Sequence, residues 1–297
     1  MRAQAKKWVV TGGAGFIGSH IINNFSTGSL SHLSSVQNKI KVIPADIGDF
    51  SALLKAFQGA DYVLHHAALV SVPRSVEDPQ LTWQINVSGT LNVLEAARQA
   101  GVKRVVFASS CCVYGSSSKP CRESAPKHPG SPYALSKQIG EELCRFYTQT
   151  YGLETVCLCY FNVYGAGQNP NGAYAAVIAQ FLQCALKGQP VRIDGTGRQS
   201  RDFIAVEDVA RANILAAQKG VPGETYNVAC GKSYSLLALL RLIEQTTHQK
   251  LARTFAPSRA GDVRTSSADI SKISRLGFKP RIMLQTGIAR LWHTLQQ

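Results

Sequence analysis

One stretch, Lys7-Trp-Val-Val-Thr11-Gly12-Gly-Ala-Gly15-Phe16-Ile17-Gly18, limits what this chain can fold into more than any other. A short apolar strand runs straight into glycines at 12, 15 and 18. Glycine allows so tight a turn, and lets the backbone come close to a pyrophosphate. A helix that starts at such a turn aims free N–H groups at an anion. A lone glycine trio marks only a turn. This one follows a strand, lies at the N-terminus and precedes a series of parallel-looking strands. It therefore points to a dinucleotide site with Gly12, Gly15, Phe16, Ile17 and Gly18 as its cradle.

The same region departs from the pattern it sets up. A nicotinamide-binding unit is expected to end its second strand in Asp or Glu, about 20 residues beyond the glycines, to hold the ribose hydroxyls. Residues 1–45 contain no acid. After Gly18 too few residues remain for a full helix plus a strand, so the second strand is either missing or replaced by the Ile21-Ile22 pair.

At 297 residues and 45% hydrophobic, the chain can bury one large core or two modest ones. No apolar run approaches the roughly 18 residues of a membrane span, and the early glycines interrupt any signal-peptide core, so neither membrane insertion nor secretion is expected. Eight cysteines at irregular positions show no metal spacing and suit reduced thiols in the cytoplasm. The net charge of +14 comes from scattered basic residues, without the dense run or aromatic-basic motif of a nucleic-acid module.

In chain order, residues 39–45 read as a strand leading to Asp46-Ile47, a pair placed to reach an adenine edge. A short helix over 50–57 and a strand over 61–66 follow. That strand opens into Ala67-Ala68, where small side chains leave room for a ligand beyond the strand's carboxyl end. Residues 79–100 read as one amphipathic helix with Leu81, Ile85, Leu91, Leu94 and Ala97 on its apolar face. A strand over 104–109, a helix over 132–151 and a buried strand over 154–161 complete the expected α/β, doubly wound Rossmann-like parallel sheet. Residues 1–165 are assigned to this dinucleotide-binding unit, with 200–219 returning to it. Residues 166–297 are assigned mainly to a smaller C-terminal substrate-binding part. His65 and His66 read as structural, and Lys103-Arg104 as a solvated strand entry.

Ser109-Ser110 closes the strand at 104–109, and Tyr133-Ala-Leu-Ser-Lys137 opens the next helix. Tyr and Lys four residues apart share a helical face, so the ammonium can lower the phenol pKa and also hold a ribose. A tyrosinate there can take a proton from a sugar hydroxyl while hydride leaves the same carbon for a nicotinamide, with Ser110 bonding the same oxygen.

These pieces, with others along the chain, resemble the extended short-chain dehydrogenase/reductases, and specifically the nucleotide-sugar epimerases. The matching segments include TGGAGFIGSH (11–20), HHAALVSVPRSVEDP (65–79), ASSCCVYG (108–115), SPYALSK (131–137), YFNVYG (160–165), GTGRQSRDF (195–203) and RAGDVRTSSAD (259–269). The resemblance implies NAD, a UDP-sugar and reversible inversion at C4 through a 4-keto intermediate. It implies catalysis by Ser110, Tyr133 and Lys137, and cofactor contacts from Gly12, Gly15, Phe16, Ile17, Gly18, Asn23, Asp46, Ile47, Ala67, Ala68, Tyr133 and Lys137. Asn23 falls where the family has its ribose-binding Asp, because this chain lacks a segment after His20.

For the sugar nucleotide the resemblance implies Asn162, Ala173 and Tyr174 at backbone and uracil contacts, Arg201 and Arg259 on the diphosphate, and Asp262 on its ribose. Arg74 and Ser110 are implied in the sugar pocket, and Ser266 at the position that a bulky residue closes in glucose-only epimerases. Cys111 and Cys112 replace the acids of the dehydratases and decarboxylases. A thiol near this position also occurs in 3,5-epimerases, but residues 169–174 offer no second acid for that route. A homodimer through the helices at 80–100 and 132–151 is implied as well. Two further readings stand beside the epimerase: a non-catalytic UDP-sugar-binding remnant, and an NADP-dependent reductase, against which no Arg stands near Asn23.

Overall fold

Alternating strand and helix signals produce the chain's elements in a computed structural model whose described residues are 6–25, 39–117, 119–168, 177–258 and 264–296. The first half runs β1 (Trp8–Thr11), α1 (Phe16–Phe25), α2 (Phe50–Phe57), β2 (Tyr62–His65), α3 (Val72–Glu77), α4 (Pro79–Trp83), a π-helical turn (Gln84–Ser88), α5 (Gly89–Gln99), β3 (Arg104–Ser110), a 3-10 turn (Cys111–Tyr114), α6 (Pro132–Tyr151) and β4 (Glu154–Tyr160). The second half runs β5 (Val163–Tyr164), α7 (Val177–Lys187), β6 (Val191–Asp194), β7 (Ser200–Asp202), β8 (Ile204–Ala205), α8 (Val206–Lys219), β9 (Thr225–Val228), β10 (Ser233–Ser235), α9 (Leu236–Thr247), β11 (Arg253–Ala256), β12 (Thr265–Ser266), α10 (Ser271–Arg275) and α11 (Leu284–Leu295).

Five strands form a parallel sheet in the order β1-β2-β3-β4-β9. Side chains alternate along β3: Val106 and Ala108 pack with α8 on one face, while Val105 and Phe107 pack with α2 and α5 on the other. A sheet buried on both faces is why these strands read as continuous apolar runs. The smaller part packs α7, α9 and α11 around the two-stranded sheet β6-β11. Its C-terminal segment is tied to α8 by buried Asp208, whose carboxylate accepts the backbone N–H groups of Arg281 and Ile282 at 3.0–3.1 Å.

Several expectations change. Ile21 and Ile22 lie in α1, with Ile21 fully buried, so they replace no strand, and the first helix is intact at ten residues. Residues 39–45 form no strand: Val42 and Ile43 face solvent, and Pro44 has no N–H to give a ladder. Among the described residues β1 is therefore an edge of the sheet. The helix expected over 79–100 is continuous but carries the π turn, which shifts the helical phase. Leu91 is consequently 42% exposed while Val93 is fully buried. Arg104 is not solvated. It is buried, pairs with Glu154 at 2.6 Å, and donates to the Ala216 and Ala217 carbonyls at 3.0 and 2.9 Å, closing the last turn of α8. The segment returning to the sheet also reaches beyond residue 219, because β9 supplies the fifth strand.

Candidate active site

The carboxyl ends of β1, β2 and β3 meet at one edge of the sheet. Gly12 takes φ +68°, and a Cβ there would stand 2.8 Å from the Ala67 nitrogen and 3.0 Å from its Cα. A Cβ on Gly18 would collide with the Gly12 carbonyl oxygen. The turn closes through a hydrogen bond from the Gly15 N–H to Gly12 O at 2.9 Å. The first-turn amides of α1, at Phe16, Ile17 and Gly18, have no helical carbonyl to bond and point out of the helix end.

Thr11 at the end of β1 holds the neighbouring strand end in place. Its hydroxyl accepts the N–H groups of His66 and Ala67, both at 3.2 Å, and lies 2.7 Å from His65 Nδ1. Ala67 and Ala68 are half-buried just beyond. Ile47 is buried against Gly89, whereas Asp46 is exposed and bonds the Gly48 N–H of its own turn at 2.6 Å. Asn23 lies in α1, with its side chain outside the described residues.

Ser110 ends β3 in extended conformation, and the chain then turns tightly through Cys111–Tyr114. Ser131 caps α6 by accepting the Ala134 N–H, which presents Tyr133 and Lys137 one turn apart on the same face. Both are buried. Burial pushes the Tyr133 phenol above its ordinary value and the Cys112 thiol adds to the rise, while a hydrogen bond with Ser110 pulls it down. Lys137 is drawn down to about 8 by burial, with Cys144 and Glu141 opposing. Its ammonium donates to the Ala108 carbonyl at 2.9 Å and sits 5.0 Å over the Phe107 ring. Ser110 thus acts on the Tyr133 phenol, with Lys137 one turn further along α6. Behind them, Glu141 is fully buried, accepts from the Ser109 hydroxyl and pairs with Lys127.

The smaller part faces this cluster with β7 and β12, which pair in parallel so that Ser266 stands beside Arg201. Ser266 donates to the Cys111 sulfur at 3.8 Å, so β12 reaches the turn that follows Ser110, and the Arg201 charge lowers the Cys112 thiol. Asn162 bridges to this part: its side-chain amide donates to Asp202 O at 3.0 Å. Arg74 is exposed on α3. Ala173, Tyr174, Arg259 and Asp262 lie outside the described residues.

Asp202 is missing from the sequence reading. Fully buried, it accepts the N–H groups of Cys230 and Gly231, both at 2.9 Å, and burial raises its carboxyl to about 6. The signal available was a lone acid inside the apolar run Asp202-Phe-Ile-Ala-Val206. Thr11 stands inside a matched segment and Glu141 four residues beyond one, and neither carries a pattern of its own.

Comparison with known proteins agrees with this geometry. Residues 8–229 match the model of the NAD dependent epimerase/dehydratase family. A putative UDP-glucose 4-epimerase of Methanocaldococcus jannaschii is 40% identical over 296 residues, covering 95% of this chain and 96% of that protein. The solved UDP-N-acetylglucosamine 4-epimerase of Methanobrevibacter ruminantium, in complex with UDP-N-acetylmuramic acid, is 37% identical with a TM-score of 0.93, over 99% of this chain and 100% of the other. The Thermus thermophilus UDP-glucose 4-epimerase, solved with NAD, is 34% identical with a TM-score of 0.85, over 98% and 99% of the two chains.

Proposed function

The chain belongs to the NAD-dependent epimerase/dehydratase family, and from that premise we propose that it is an NAD-dependent UDP-sugar 4-epimerase. The observation that carries this reading is Tyr133, buried with Lys137 on one face of α6 and influenced by Ser110 at the end of β3, in the same parallel sheet whose β1 runs into the glycine turn.

The residues fit the cofactor's diphosphate: two glycines stand where a Cβ would strike backbone, and a helix opens directly beyond them. Gly12, Gly15, Phe16, Ile17 and Gly18 would hold it, with Ala67 and Ala68 leaving space alongside. NAD supplies the acceptor, and then the donor, of hydride at the sugar carbon. The protein's own part is proton transfer. Tyr133 takes the proton of the sugar 4-hydroxyl, and Ser110 bonds the same oxygen to keep it in line. Lys137 places its positive charge one helical turn below, which favours the phenolate. Arg201 offers a forked donor to the sugar nucleotide's diphosphate. Inversion requires the 4-keto sugar to present its other face before the proton and hydride return.

Ser266 is small where it faces Cys111, which supports an N-acetylated sugar as substrate beside the plain hexoses. The smaller part, mainly 166–297, is the sugar-nucleotide half in this reading. Trp83, Leu135, Phe146 and Tyr151 are large and exposed on α4 and α6, which supports a dimer through these helices. All eight cysteines are free and no described helix is long and apolar enough to cross a membrane, which supports placement in the cytoplasm.

Tyr133→Phe tests the proton role. Turnover should fall by about a thousandfold or more while UDP binding, followed by calorimetry, stays within twofold. Retained turnover would remove Tyr133 from catalysis. The remnant reading makes a different forecast: UDP binding with no turnover in the unmutated protein.

A further inference from the structure

Cys111 and Cys112 are used by nothing in the mechanism, yet they stand in the middle of the site. They are consecutive at the start of the 3-10 turn after Ser110, both half-buried, and the Cys112 N–H donates to Ser110 Oγ at 3.4 Å. Ser266 reaches Cys111 from the facing strand, while Ser110, Tyr133 and Arg201 all act on or feel Cys112. The neighbouring Cys111 thiol, aided by Ser110 and Arg201, lowers the Cys112 thiol to about 6 against the opposing effect of burial, and Cys111 keeps its proton. One sulfur is therefore a ready nucleophile with a protonated neighbour at its side. The pair is also poorly placed to oxidise internally. Adjacent residues lie about 3.8 Å apart between Cα atoms across a trans peptide, short of the roughly 4.4–6.8 Å that disulfides usually span. A ring closed through a third, larger atom relieves that constraint.

We infer that Cys111 and Cys112 together form a two-sulfur capture site for trivalent arsenicals, ligands whose soft centre carries exchangeable oxygen. With an arsine oxide, two As–S bonds form and the As–O bond breaks. Both thiol protons leave with that oxygen as one water, and arsenic stays trivalent, so no oxidant is needed. The captured group stands beside Ser110 and Ser266, on the side of the site that the proposed reading gives to the sugar nucleotide. Other cysteines compete poorly: Cys184 and Cys230 are partly exposed but separate, and Cys121, Cys144, Cys157 and Cys159 are buried.

The test is to mix the folded protein with one equivalent of phenylarsine oxide, remove unbound reagent in excess monothiol, and weigh the intact chain and its peptides. About one phenylarsenic group per chain should be retained, on the peptide holding residues 111–112, and 2,3-dimercaptopropanol should strip it. Cys111→Ser and Cys112→Ser should each reduce retention about tenfold or more, because a single As–S bond exchanges with monothiol, whereas Cys184→Ser and Cys230→Ser should not. No retention by the unmutated protein, or a label on any other peptide, would overturn the inference. That mapping decides the matter even if a serine variant fails to fold, and it needs no turnover.

Discussion

At the scale of single residues, the site's precision comes from side chains that the sequence shows only as letters in a motif. The Thr11 hydroxyl accepts two amides, so its own proton goes to His65 Nδ1; His65 Nε2 then donates to Thr90, 3.1 Å away, which donates to the Asn86 carbonyl. This chain fixes His65 in its neutral form, in keeping with burial and nearby Lys137 holding its pKa well down. His66 is lowered to about 4, mainly by burial, and bonds the Tyr160 hydroxyl at 2.9 Å. That value lies below the unfolded imidazole's, about 6.5, so between those pH values the unfolded chain takes up a proton the folded one refuses, and stability falls as pH drops. In chemical denaturation, the wild type should lose about 2 kcal/mol more than His66→Phe between pH 6.5 and 5. A pH-independent difference would contradict this. Asp202→Asn presents one amide oxygen where two carboxylate oxygens now serve Cys230 and Gly231, one each. It should cost about 2–4 kcal/mol at neutral pH, and a change below about 0.5 would show the carboxylate is not needed.

At the scale of elements, most of the fold was legible because the signals were local and repeated. The helices at 50–57 and 132–151 begin at Asp49 and Ser131, both side-chain caps, and their observed bounds match the expected ones. The strands at 104–110 and 154–160 carried unbroken apolar runs. What failed was phase and context. Nothing in Gln84-Ile-Asn-Val-Ser88 announces a π turn, so a uniform 3.6 period put Leu91 inward and missed Val93. Val93→Ala should cost about 1–3 kcal/mol by thermal or chemical unfolding, while Leu91→Ala in the isolated chain should cost under about 0.5. The reverse order would restore the uniform helix. Residues 39–45 had a strand's composition without a neighbour to pair with, and Arg104 had the composition of a surface residue until the end of α8 was seen to need a donor. The site was legible in the same uneven way: Tyr133 and Lys137 share one face of α6 as their spacing required, whereas Asp202 acts through partners distant in sequence.

At the scale of the whole molecule, the question is how a dinucleotide unit works with no acid before residue 46 and β1 at the edge of the described sheet. The glycine cradle, the alanines beyond β2 and the Ser110–Tyr133 pair are all retained, which favours an active enzyme over a binding remnant. The exposed aromatic face of α4 and α6 should make the protein dimeric by sedimentation, with Trp83→Glu or Phe146→Glu shifting it toward monomer; a wild-type monomer at micromolar concentration would count against that interface. The central claim is most directly met by one measurement: NMR of UDP-N-acetylglucosamine, and of UDP-glucose, incubated with the protein and NAD in deuterated water. Hydride leaving and returning to the same carbon predicts that at least one of the two reaches a mixture with its C4 epimer carrying no deuterium at C4. No interconversion of either sugar, or solvent deuterium at C4, would contradict the account.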